Sequence, residues 1–181
     1  MNIHIPIESV ANDIKWPDAV ASVNAWRGAC MQCFAKAEAA ATETLLVLHR
    51  VEARGNEVRL RHLVGQRLSD LAAAIGPNGP FGADGETAYR ALEEFRQHEG
   101  LRTLLGHGVA KVTLERSGKW IAIMRHLSIR ASAEGRDIGV FEQSEADAVL
   151  SVLRKRSNKV CSTLGSIQTL FSAQETSRGH R

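Results

Sequence analysis

Apolar residues recur every three or four positions along most of the chain, which is the spacing of amphipathic helices. One such stretch predicts a long first helix over about residues 17–53, and another predicts a long last helix over about 145–172. Shorter stretches predict helices over about 57–75 and 85–105. Because the two long helices exceed what one compact bundle covers, we expect the protein to form a homodimer.

The connections between these helices carry their own signals. The second predicted helix directs Leu60 and Leu63 to its inner face, and it ends at segment 76–85, which is rich in glycine and proline and predicts a loop. Gly100 weakens the third predicted helix.

Residues 109–130 carry the clearest β-strand signal in the chain. Two runs rich in β-branched residues flank Ser117 and Gly118, which predict a two-residue hairpin turn. That turn sets Val112 opposite Ile123 on the apolar face of the hairpin. We therefore expect one face of the hairpin to lie on the helices.

These elements predict a mainly α fold: a four-helix bundle-like domain with two long helices and a β-hairpin inserted between the third and fourth helices. A third strand around 137–141, after a turn at 134–136, would make the hairpin a three-stranded meander. We expect a single domain over 1–173 and a frayed tail over 174–181, with residues 1–15 forming an extended arm or short edge strand.

Composition narrows the class of protein. With 44% hydrophobic and 24% charged residues, the 181-residue chain is neither mostly disordered nor collagenous. Its sequence shows no apolar run of the ~20 residues that span a membrane and no secretory signal pattern. Three cysteines do not form a disulfide framework, so we expect a protein of the reducing cytoplasm.

The charge permits an anionic partner. The net charge is +3, and most of the 23 basic residues are arginines, whose planar guanidinium suits phosphate. The same excess of arginine over lysine also follows from a GC-rich genome. The charge is therefore compatible with RNA binding but does not by itself indicate it.

Cys30 and Cys33 form a C-x-x-C pair in the middle of the first predicted helix. A redox dithiol usually opens a helix, where the helix dipole lowers the thiol pKa, and zinc needs further ligands at regular spacing. We therefore interpret the pair as small core residues and expect neither a metal nor a cofactor, with a redox or metal module as the alternative.

Arg102 and His107 make the strongest chemical candidate. They stand five residues apart at the end of the third predicted helix, and glycines flank the histidine. In a continuous helix their side chains would point about 140° apart. If the glycines end the helix early, the imidazole can fold back, and the two side chains can bracket one phosphate.

The segment from Arg102 to Gly108 resembles the Arg-x(4 to 6)-His motif of the HEPN superfamily (higher eukaryotes and prokaryotes nucleotide-binding). The resemblance covers this motif and the long-helix layout. It departs from the common pattern at Thr103, which follows the arginine, and in the hairpin that follows the histidine.

This resemblance implies a dimeric helical protein that acts as a metal-independent endoribonuclease of toxin or defence type. It implies that Arg102 and His107 are catalytic across the dimer interface and that Thr103 and Gly108 bind the substrate. Its expected partners are a second copy, RNA or a nucleotide, and an antitoxin-like protein. The alternative is a non-catalytic dimeric module that binds a nucleotide or protein, in which Arg102 and His107 cap the helix.

Overall fold

The computed structural model describes residues 16–130 and 133–178, so the expected N-terminal arm over 1–15 lies outside the described residues. Within this part of the chain there are five α-helices, a short 3-10 helix at Arg54–Glu57 and three strands. In chain order they are α1 (Trp16–His49), α2 (Val64–Ile75), α3 (Gly82–Arg96), α4 (Glu99–His107), β1 (Val109–Leu114), β2 (Trp120–Arg130), β3 (Ala133–Glu142) and α5 (Gln143–Arg178). The prediction of a mainly helical protein is confirmed.

The two long helices, α1 and α5, pack against each other and form the centre of the core. The fully buried residues of α1 follow the predicted spacing of three and four, and small ones such as Ala37 and Ala41 let α5 approach closely. From α5, Leu153, Val160 and Leu164 complete this interface. Both long helices predicted from the sequence are therefore present.

The first helix ends at His49, four residues before the predicted end at 53. The chain then folds back on the helix end, and the amide of Gly55 donates to the carbonyl oxygen of Val51 at 2.8 Å. A Cβ at Gly55 would lie 2.3 Å from the carbonyl oxygen of His49. Only glycine fits this close approach of backbone to backbone.

The second predicted helix, over 57–75, is wrong at its start, because α2 begins at Val64. Leu60 and Leu63, expected on an inner helical face, are 47% and 59% exposed. Tertiary hydrogen bonds hold this segment instead: Arg61 donates through two nitrogens to the buried carboxylate of Asp70, and Arg67 donates to the carbonyl oxygens of Arg61 and His62.

The third predicted helix, over 85–105, is two helices. The helix is interrupted at Gln97 and His98. There the amide of His98 donates to the carbonyl oxygen of Phe95 and forms a tight turn. Gly100, expected to weaken one helix, lies in the first turn of α4. The predicted loop 76–85 is also shorter than expected, because α3 already begins at Gly82.

The three strands form one antiparallel sheet in the order β1-β2-β3, so the three-stranded meander is present. The segment 134–136, predicted as a turn, belongs to β3, which pairs with β2 over its whole length. The expected hairpin over 109–130 is confirmed, but the two-residue turn is wrong. The amide of Glu115 donates to the carbonyl oxygen of Lys119, which closes a longer loop with Gly118 at φ 81°.

This longer loop shifts the pairing of β1 and β2 by one residue relative to the prediction. Val112 stands opposite Ala122 and not opposite Ile123. Trp120, Ala122 and Met124 are consequently the buried face of β2, packed on the helices.

The last helix is longer than predicted at both ends, running from Gln143 to Arg178 in place of 145–172. The expected frayed tail over 174–181 is therefore helical as far as Arg178, and the segment 174–178 contains no glycine or proline that would end the helix. Residues 179–181 lie outside the described residues. Across the described residues, no helix combines the length and apolar character needed to span a membrane.

Candidate functional site

The C-terminal end of α4 leads directly into β1 and places the first site residue. The helix is continuous through His107, and the amide of Gly108 donates to the carbonyl oxygen of Leu104 at 2.8 Å. Arg27 of α1 supports this end, because its Nε donates to the carbonyl oxygen of Leu105 at 2.5 Å and its second guanidinium nitrogen to that of Gly106 at 3.3 Å. The expectation that the glycines end the helix before the histidine is wrong.

His107 lies beside a second histidine that sequence reasoning did not select. Its imidazole ring centroid is 5.9 Å from that of His126 on β2, with the ring planes tilted by 34°. Nδ1 of His126 lies 3.4 Å from a carboxylate oxygen of Asp137 on β3. Because a carboxylate only accepts hydrogen bonds, a hydrogen bond across this contact requires the proton on Nδ1 and leaves Nε2 as the acceptor in the neutral ring.

The sheet register explains this cluster. His126 and Asp137 are direct cross-strand partners, and Arg125 and Ile138 are the neighbouring pair. β1 begins at Val109, opposite Arg125, so β2 and β3 continue past it as a two-stranded ribbon.

A cavity of about 430 Å³ lies beside the first residue of β1, where the ribbon of β2 and β3 continues past it. Two imidazoles, two guanidiniums and one carboxylate line it, together with apolar side chains: His107, His126, Arg125, Arg136 and Asp137 are the polar ones. Arg136 forms an ion pair with Glu134, which does not line the cavity, whereas Arg125 forms no ion pair among the described residues. The guanidinium of Arg125 therefore suits the cavity to an anionic ligand. We call it the two-histidine cavity.

Arg102 faces away from this cavity. Its Nε donates to the carboxylate of Glu38 on α1 at 2.5 Å, and its side chain is 32% exposed. Since α4 is continuous, Arg102 and His107 project about 140° apart. The structure therefore does not bring the predicted catalytic pair together within one chain.

The two residues expected to bind substrate have structural contacts in the described part of the chain. The hydroxyl of Thr103 donates to the carbonyl oxygen of Glu99 one turn earlier, at 3.1 Å. Gly108 is buried at the end of α4, where a Cβ would lie 2.3 Å from the carbonyl oxygen of Leu104. Gly108 thus allows the sharp turn that presents His107.

The alternative interpretation assigned helix capping to Arg102 and His107. The carbonyl oxygens of Leu105 and Gly106 accept hydrogen bonds from Arg27, a residue of α1 that the sequence pattern did not single out. His107 does lie in the last turn of α4, at the negative end of the helix dipole.

His126 was expected on the outer face of the hairpin, and the register shift moves it to the inner face, where its side chain is 12% exposed. Arg125, Arg136 and Asp137 were not selected either. A pairing of the second strand with a third strand would have shown that His126 and Asp137 share a face.

The C-x-x-C pair lies in the core, as expected. Cys30 is fully buried and Cys33 is 7% exposed, and the hydroxyl of Ser157 on α5 donates to the carbonyl oxygen of Cys33. Burial raises the pKa of the Cys30 thiol to about 12, so it stays protonated and a poor nucleophile at neutral pH. Among the described residues, no group of three histidine, cysteine, aspartate or glutamate side chains is placed to hold a metal ion.

Comparisons of the chain with protein-family models, with curated proteins and with solved structures give no match. The fold and the site define the class of protein: a mainly helical protein with a small antiparallel sheet and a basic cavity that contains two histidines.

Proposed function

We propose that the protein is a dimeric, HEPN-like endoribonuclease of toxin or defence type that cleaves RNA without a metal ion. The observation that carries this proposal is the pair of imidazoles, His107 and His126, with ring centroids 5.9 Å apart in a cavity that two arginines also line. In this view α3 and α4 are one interrupted helix of a four-helix bundle, and the sheet is inserted before α5.

The charges of the cavity support a phosphodiester as the substrate. The guanidiniums of Arg125 and Arg136 would bind the phosphate oxygens and stabilise the negative charge that develops on them during attack. A neutral imidazole accepts a proton and a protonated one donates a proton, so a pair of imidazoles can supply one base and one acid. RNA supplies such a phosphodiester with a 2′-hydroxyl beside it. It is also present in the reducing cytoplasm, the compartment in which the three cysteines would remain thiols.

The contact between His126 and Asp137 supports one division of the acid and base roles. It leaves Nε2 of His126 as an acceptor, so His126 is the base that removes the proton from the ribose 2′-hydroxyl. The 2′-oxygen then attacks phosphorus, the bond from phosphorus to the 5′-oxygen breaks, and protonated His107 donates its proton to that leaving oxygen. The products are a 2′,3′-cyclic phosphate and a free 5′-hydroxyl.

Arg102 has an indirect role in this proposal. Its ion pair with Glu38 holds α4 against α1 and so fixes the position of His107 at the end of the helix. Arg102 is therefore a positioning residue rather than a ligand of the phosphate bound in its own chain.

The experiment uses the purified full chain and a mixed-sequence RNA, with EDTA present, and analyses the product ends. We expect 2′,3′-cyclic phosphate ends, and we expect His107→Ala and His126→Ala each to slow cleavage by roughly 10²-fold or more. His62→Ala, at an exposed histidine before α2, is the matched control and should cleave normally. Folded wild-type protein that leaves RNA intact, or cleavage that survives both alanine substitutions, would refute the proposal.

A second candidate is a non-catalytic dimeric module that binds a nucleotide or a protein such as an antitoxin. The outer face of the sheet favours it, because apolar side chains there are strongly exposed, including Val109, Leu127 and Ile129 at 76%, 65% and 84%. A thermal-shift screen with nucleotides distinguishes the two candidates: stabilisation without RNA cleavage supports the binding module.

A further inference from the structure

Within the part of the chain that the structure describes, the outer edge of β3 is an open strand edge. Among the described residues the sheet order places β2 on one side of β3 and no strand on the other. Seven of its ten residues are exposed, and its pairing with β2 runs without interruption or proline. Strand edges of this length normally carry a bulge, a proline or a cover, because their free amides and carbonyls pair with other strands.

The outward-facing side chains of β3 follow a regular order of charged and apolar residues. Every second residue points away from the helices, and these are Glu134, Arg136, Ile138, Val140 and Glu142. Ile138 and Val140 therefore stand between Glu142 and Arg136, which also forms an ion pair with Glu134 of its own chain. Ile138 and Val140 are 66% and 54% exposed.

If two copies of β3 pair antiparallel with the two-fold axis at Gly139, the outward-facing side chains of one copy are complementary to those of the other. Arg136 then stands opposite the partner's Glu142, and Ile138 stands opposite the partner's Val140. The two-fold axis repeats both pairs, which gives two ion pairs outside and two apolar pairs between them.

Neighbouring registers lose this match. Centring the axis on Ile138 sets Glu134 opposite the partner's Glu142, and centring it on Val140 sets Ile138 opposite that same carboxylate. An axis at Asp137 would place two aspartates opposite each other.

We propose that β3 pairs antiparallel with β3 of a second copy of this chain, with the two-fold axis at Gly139. The two sheets then form one six-stranded sheet in the order β1-β2-β3-β3-β2-β1. Arg136 also lines the two-histidine cavity, so the partner's Glu142 reaches the rim of each cavity. The pairing of the two β3 edges does not require RNA cleavage, but it sets the partner's Glu142 beside an arginine that the proposed function assigns to the phosphate.

The test measures the mass of the full chain by light scattering and analytical ultracentrifugation over a range of concentrations. Wild-type protein should be a dimer. Arg136→Glu and Glu142→Arg should each raise the dimer dissociation constant by roughly tenfold or more, because each sets like charges opposite each other twice. The double variant R136E/E142R restores opposite charges and should restore the dimer. Lys119→Glu, in the exposed hairpin loop, is the matched control.

All variants change exposed side chains, and their thermal melting confirms that they remain folded. A monomeric wild-type protein would overturn the proposal. So would a dimer that single charge reversals leave intact, or a folded double variant that stays monomeric.

Discussion

The indole Nε1–H of Trp26 on α1 donates a hydrogen bond to the backbone carbonyl oxygen of Ala146 on α5 at 2.8 Å. The same indole contacts Trp120 of β2 and Phe141 of β3, with ring centroids 6.0 and 5.1 Å away. Trp26 therefore joins the first helix, the sheet and the start of the last helix at one buried point.

Replacing this indole tests that junction. We expect Trp26→Phe to lower the free energy of unfolding by about 1–3 kcal/mol, because it removes a buried hydrogen bond and part of the ring. Urea denaturation measures the change. Trp16→Phe is the control, since Trp16 is 52% exposed and should change stability by less than about 0.5 kcal/mol. Equal losses of unfolding free energy in Trp26→Phe and Trp16→Phe would show that Trp26 does not stabilise the contact between these elements.

The ion pair between Arg102 and Glu38 should couple the stability of α4 to α1. Arg102→Ala and Glu38→Ala should each destabilise the protein, and the double variant should lose less than the sum, with a coupling of about 0.5–1 kcal/mol. A double-mutant cycle measures this coupling. Because the carboxylate and the guanidinium are both partly buried, solvent screens their interaction less than that of an exposed pair.

The same variant separates positioning from catalysis. In an RNA-cleavage assay Arg102→Ala should lose less activity than His107→Ala and should keep the wild-type pH profile, because Arg102 does not exchange a proton with substrate. A larger loss for Arg102→Ala than for His107→Ala would instead support direct contact with the phosphate across a dimer.

Two glycines should respond to alanine in opposite directions. Gly118 has φ 81°, a left-handed conformation, so Gly118→Ala should cost about 1–2 kcal/mol of stability. Gly165 lies within α5, and a Cβ there would meet nothing within 4 Å, so Gly165→Ala should add about 0.5–1 kcal/mol. Urea midpoints compare both variants with the wild type, and the reverse order would show that the loop does not hold Gly118 in this conformation.

His98 should make stability depend on pH. Burial, and secondarily the guanidinium of Arg156, lowers the pKa of His98 below its usual value, and its Nε2 is buried without a hydrogen-bond partner in the described structure. The unfolded chain therefore binds this proton more readily than the folded one. Stability should fall as pH drops below about 6.5, the ordinary value for histidine.

The measurement is the urea midpoint as pH falls from about 7.5 to about 5. His98→Gln should flatten the dependence, whereas His62→Gln, at an exposed position, should leave it as in the wild type. An unchanged slope in His98→Gln would assign the dependence to other groups.

The sequence could predict the elements that bury one continuous face. Val23, Trp26 and Cys30 already show the spacing of α1, and Leu153 and Val160 show that of α5, because a long helix repeats its signal many times. The sequence did not predict the structure at Leu60 and Leu63. Their spacing is that of a helix, but the hydrogen bonds of Arg61 with Asp70 hold this segment in a non-helical conformation.

The candidate site was predictable only in part. His107 could be selected because glycines flank it. The position of His126 beside it depends on the register of β2, and the third strand brings Asp137 opposite His126. A one-residue difference in the hairpin loop reverses the face of every residue in a strand, and local sequence does not fix that loop length.

The sequence by itself determined a mainly helical chain with two long amphipathic helices and a β segment, because apolar periodicity is a local property. Only the tertiary structure decided that Arg102 bonds to Glu38 while His107 meets His126. Those contacts join residues far apart in the chain, and packing between elements, rather than spacing along any one of them, determines which side chains meet.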